Sequence, residues 1–135
     1  MEESSNLNPS ETALRARYAS LQHRTRDLES RAPSRIDALH EALHEQSTGH
    51  TAAYEEALND AVNEAMLAAR CYHGAVPFLE TANSLIEHLA KPPLLDDGME
   101  WHDEILGRLA EVLEIAAEMI AEGEAHLEAS SRVNF

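Results

Sequence analysis

Residues 40–50 read HEALHEQSTGH, the one stretch of this 135-residue chain whose residue types and spacing could do chemistry. His40 and His44 stand one helical turn apart and so share a helix face. Two imidazoles placed that way can hold one zinc ion, with Glu41 between them as general base toward a metal-bound water. His50, six residues on, would be the third ligand. On a straight helix His40 and His44 are about 40° apart, whereas His44 and His50 are about 120° apart. Three-point ligation therefore requires a sharp turn between them.

The run is similar to the extended metzincin pattern HExxHxxGxxH, with Ser47 where those proteases carry glycine. That glycine turns the chain with a positive φ, which is costly for serine. The similarity spans eleven residues and implies a zinc-dependent hydrolase using His40, Glu41, His44 and His50. It also implies a sheet beside the motif and a Met-turn downstream. No stretch here alternates like a strand, and Met66 and Met99 both fall in helical patterns. The favoured expectation is that these histidines are solvated residues on a helical rim, with no metal and no cofactor. A site made by His40 and His44 alone, for zinc or nickel, is the intermediate case.

Other chemistry finds less support. A di-iron centre needs Glu-x-x-His on two helices, and Glu41-x-x-His44 is the one such pair. Cys71-Tyr72-His73 is not a haem-attachment motif, and a lone cysteine forms no intramolecular disulfide. Trp101-His102-Asp103 places neighbours on different sides of a helix. No glycine-rich phosphate loop or nucleophile elbow is present.

The elements that would position these residues are helices. The chain is 44% apolar, dominated by Ala and Leu, with 4% aromatics, a balance that suits helix over sheet. Residues 1–7 are expected to be a disordered tail, 8–130 one helical-bundle domain and 131–135 a short tail. Asn8-Pro9-Ser10-Glu11 predicts a helix start with Asn8 as N-cap. Pro33-Ser34 predicts a break, and a new helix carries Ile36, Leu39 and Leu43 inward. Around Gly49 the apolar phase allows one bent helix over 34–73 or two helices, with Thr48 or Thr51 as cap. Gly74 reads as a helix end, Pro77 as the next start and Lys91-Pro92-Pro93 as its stop. The last helix, Asp97 to about Glu128, has the widest apolar face: Trp101, Ile105, Leu109, Val112 and Ala116, with Leu106, Leu113 and Ile120 beside them. The expected fold is an all-α, up-and-down bundle of four to five helices. Unequal helix lengths would leave apolar surface bare, which predicts a homodimer.

The formal net charge is −15, which opposes direct binding to nucleic acid or to anionic membrane. No apolar run reaches the roughly 20 residues of a membrane span, and the opening MEESSNLNP is no signal peptide, so the expected compartment is the cytoplasm. The charge is unevenly placed. Residues 10–35 hold six arginines against three carboxylates, and the remainder to residue 135 holds four basic against twenty acidic groups. Arg17, Arg24 and Arg31 recur every seven residues, as do Glu104, Glu111 and Glu118. Antiparallel packing would pair Arg17 with Glu118, Arg24 with Glu111 and Arg31 with Glu104, within one chain or across a dimer.

These features favour a non-catalytic protein acting through protein–protein contacts, as an adaptor, regulatory subunit or secretion-type chaperone. Its interaction residues would be Arg17, Arg24, Arg31, Glu104, Glu111, Glu118, Trp101, Leu106, Leu113 and Ile120. The alternatives are the zinc-dependent hydrolase and an acidic inhibitor that mimics nucleic acid. A further variant makes the first helix a basic arm for an acidic partner.

Overall fold

A computed structural model describes residues 10–45, 51–90 and 98–133, with 98–100 by their backbone alone. Over these residues the chain is all-helical, with three long helices and no strand: α1 (Glu11–Glu45), α2 (Ala52–Ala90) and α3 (Gly98–Ser130). At 1.5 Å per residue they run about 52, 58 and 50 Å. Three helices replace the four to five expected. The boundaries predicted at Pro33 and Gly74–Pro77 do not exist, and both prolines lie inside helices.

The physical reason is the phase of the buried stripe. Leu28 and Ala32 before Pro33, and Leu39 and Ala42 after it, are all buried on one side of α1. A break would throw one half out of phase with the core. An interior proline costs about 3 kcal/mol, and each fully buried leucine contributes about 1.5–3 kcal/mol. Pro33 and Glu29, whose carbonyl loses its helical donor, are both on the exposed side, where water can replace that donor. The same holds for α2, where Ala68, Ala75, Leu79 and Ala82 stay in one buried row through Pro77. Gly74 does not cap a helix, since no glycine among the described residues has positive φ. Its role is close approach: a Cβ there would lie 3.1 Å from the Met119 side chain.

Two starts are fixed by side-chain caps. The Ser10 hydroxyl accepts from the Ala13 amide at 3.1 Å, so Ser10 rather than Asn8 caps α1. Thr51 caps α2 in the same way through the Tyr54 amide, at 3.1 Å. Asp97, expected to cap the last helix, lies outside the described residues, as do Leu94 and Leu95.

Neighbouring helices in sequence are antiparallel. Gly123 on α3 meets Cys71 on α2, and His126 meets Glu64. Residues 34–73 are thus two helices that reverse direction, not one bent rod. Two reversals make α1 and α3 parallel, with Glu11 beside His102, Arg24 beside Glu124 and Leu28 beside Gly123.

The core has two parts. The larger joins all three helices through Leu21, Leu28, Leu109, Leu113, Ala116 and Ile120, among others. The smaller joins the end of α1 to the start of α2, through Leu39, Ala42, Leu58, Ala61, Val62 and Ala65, with Val133 against it. Arg35 sits level with the end of α3, donating to the Ser130 carbonyl at 2.8 Å and the Val133 carbonyl at 3.3 Å. Beyond it, α1 and α2 continue as a two-helix tip for about 15 Å. The wide apolar face of α3 finds its two neighbours within the chain. The length mismatch that suggested a second copy is absent. Among the described residues the exposed large hydrophobics are Met66, Leu67 and Ile115.

Candidate functional site

Helix α3 separates its residues into an inward and an outward face. Leu106, Leu113 and Ile120, expected as contact residues, are buried in the bundle, and Trp101 is half-buried near the start of α3. Leu106, Leu113 and Ile120 belong to the core that joins the three helices. Glu104, Arg108, Glu111, Ile115, Glu118 and Glu122 recur at intervals of three and four and form one exposed row. The row from Glu104 to Glu122 is about 27 Å long. Ile115, 41% exposed, sits in its middle.

The arginine ladder does not meet this row. Because α1 and α3 are parallel, Arg17 pairs with Glu114 at 3.2 Å. Arg24 grips Glu124 with two hydrogen bonds, at 2.8 and 2.6 Å. Arg31 turns to Asp27 on its own helix, at 3.0 Å. Within the chain none of the three antiparallel pairs forms. Sequence alone misled here because an antiparallel register requires an odd number of chain reversals, and the continuous helices leave two. Glu114 and Glu124 lie on the flank of α3 that faces α1; Glu111 and Glu118 point elsewhere.

The consequence is electrostatic. Arg15 bonds to Glu11 and Arg35 to the end of α3, so five of the six arginines of α1 are engaged by groups of the same chain. On α3, Glu104 has Arg108 at 3.8 Å, while Glu111, Glu118 and Glu122 have no cationic partner among the described residues. The hydrogen bond to Glu124, opposed by partial desolvation, pushes the Arg24 guanidinium above its ordinary value. The Arg15 hydrogen bond leads the contacts that hold the Glu11 carboxyl below its ordinary value, against some desolvation, with His102 adding to it.

The described part of the HEALHEQSTGH motif, residues 40–45, lies on α1 at the two-helix tip. His40, Glu41 and His44 are exposed on α1, directed away from the small core, while Ser47 and His50 lie outside the described residues. No three His, Cys, Asp or Glu side chains converge as a metal site among the described residues. No strand flanks the motif there.

Two further features were not anticipated. A groove of about 350 Å³ runs between α1 and α2, lined by Tyr18, Gln22, Arg26, Glu29, Tyr72 and Glu80, among others. Burial, then a hydrogen bond to Glu29, raises the Tyr72 phenol above its ordinary value. On α2, Asn63, Met66, Leu67 and Arg70 form a short outward stripe in which Met66 is 51% exposed. Its sequence signal is two apolar residues, Met66 and Leu67, off the buried stripe of Ala61, Ala65 and Ala68. Cys71 is half-buried against α3, and burial followed by the charge of Glu122 pushes its thiol up.

No helix among the described residues is long and apolar enough to cross a membrane. No protein-family model, no curated protein and no solved structure matches the chain.

Proposed function

We propose that this chain is a non-catalytic interaction protein that docks a basic segment of a protein partner along the exposed row of α3. The observation that carries this is Ile115, an exposed aliphatic side chain set among Glu111, Glu118 and Glu122, which have no cationic partner among the described residues. Same-sign charges at i and i+4, here Glu118 and Glu122, cost a few tenths of a kcal/mol in the free helix. A basic partner relieves that repulsion, and the isoleucine adds an apolar anchor at the centre of the contact. Internal use of five arginines of α1 weighs against the basic-arm alternative.

An adaptor or regulatory subunit fits this mode of action. A homodimer remains a separate proposal, as does a cytoplasmic setting suggested by the single cysteine. The test is affinity capture from the native host, with mass spectrometry of what is recovered. It compares the unaltered chain with Ile115→Asp and with the triple variant Glu111→Lys, Glu118→Lys, Glu122→Lys. A basic partner that is lost from both variants, while their helical circular dichroism and unfolding cooperativity are retained, supports the proposal. The same proteins recovered with all three chains would refute it, and mass measurement in solution reports separately on a second copy.

A further inference from the structure

We propose that His40 and His44 form a two-imidazole clip for a divalent transition-metal ion on the outer face of the two-helix tip. The site is independent of the α3 row and needs no third ligand. Both residues belong to one uninterrupted helix, α1, which continues through Pro33 to Glu45. Their spacing of four places them about 40° apart around the helix, with Cβ atoms about 5–6 Å apart. Zinc–imidazole bonds of about 2.0–2.1 Å set the two nitrogens roughly 3.3 Å apart in a tetrahedral shell. Rings on adjacent turns can reach that separation by rotating about χ1 and χ2.

Three observations lift this pair above the other histidines. Both rings are exposed, so no packing must be broken to turn them toward one ion. Neither has a hydrogen-bond or ion-pair partner among the described residues, whereas His102 is held by Glu11, His126 by Glu64 and His88 by the Ser84 carbonyl. No other two histidines in the sequence stand three or four apart. Asp37 and Glu41 are exposed on the same 100° arc and make the local potential attractive to a cation. Imidazole donors select zinc, copper and nickel over magnesium and calcium, with copper strongest at equal geometry. Two protein ligands leave the other positions to water, so the clip is open rather than a closed structural centre. Bound metal would tie adjacent turns of α1 together at the tip, where α3 no longer packs.

The test uses the full chain without an affinity tag, titrated calorimetrically with zinc chloride and with nickel chloride at neutral pH. The expected result is one equivalent bound, with at least tenfold weaker binding in His40→Ala and in His44→Ala. His73→Ala and His50→Ala should bind as the unaltered chain does. Hydrogen exchange of the amides of residues 36–45 should slow on adding zinc, and should not in His44→Ala. Absence of binding at millimolar metal, or undiminished binding in the double variant His40→Ala/His44→Ala, would overturn the proposal. Loss in His50→Ala equal to that in His44→Ala would overturn the open two-ligand assignment.

Discussion

The glycines of α3 give a test in which one substitution has opposite signs at two positions of one helix. Replacing an interior helical glycine with alanine removes backbone freedom from the unfolded chain and stabilises by about 1 kcal/mol where space allows. At Gly107 a new Cβ would meet nothing within 4 Å, so Gly107→Ala should realise that gain. At Gly123 the same Cβ would lie 3.0 Å from the Cys71 Cβ, 3.0 Å from the Leu28 Cδ1 and 3.4 Å from the Ala68 carbonyl oxygen. Leu28 can rotate a methyl away, but Cys71 Cβ and the Ala68 backbone move only if α2 moves. Overpacking of that kind costs about 1–3 kcal/mol, which exceeds the helix gain and leaves Gly123→Ala less stable by up to about 2 kcal/mol. The two variants should therefore differ by about 1–3 kcal/mol. Urea unfolding followed by circular dichroism measures this directly, with an unchanged slope in denaturant as the check on two-state behaviour. At roughly 4 °C per kcal/mol, thermal melts should separate them by about 4–12 °C. If Gly123→Ala were as stable as Gly107→Ala, the three helices would not meet at Gly123 as described.

Other expectations follow from the same contacts. A double-mutant cycle on Arg24→Ala and Glu124→Ala should give a coupling of about 0.5–1 kcal/mol. It is kept small because both side chains are more than a third exposed, and the cycle on Arg24 and Glu111 should give none. Arg35→Ala removes charge-assisted hydrogen bonds to the Ser130 carbonyl at the end of α3 and to the Val133 carbonyl beyond it, and should cost about 1–2 kcal/mol, with faster hydrogen exchange near Ser130 as its local signature. The Cys71 thiol, held up by burial and by Glu122, should alkylate more slowly at pH 8 in the folded chain than in urea. As pH rises past the ordinary thiol value the unfolded chain loses its proton first, so this group withdraws stability on the alkaline side and has no effect at neutral pH.

What the sequence by itself determined is what local physics determines. Ala- and Leu-rich periodicity set the helical class, and seven-residue spacing put Leu106, Leu113 and Ile120 on one apolar face, without reporting whether the bundle or a partner covers it. Thr51, one of the two caps offered with Thr48, was legible for the same reason: it depends on residues within one turn. The continuity of the helices through Pro33 and Gly74–Pro77 was not, because a proline's local cost of about 3 kcal/mol is set against burial against another helix, which local sequence does not report. That misreading carried into the arginine pairs. With the helices continuous, α1 and α3 run parallel, Arg17 and Arg24 reach Glu114 and Glu124, and Glu111 and Glu118 are left facing solvent. The residue types and their period were present in the sequence. Which carboxylates meet an arginine of α1, and which face solvent, was decided by the number of chain reversals, a property of the tertiary structure alone.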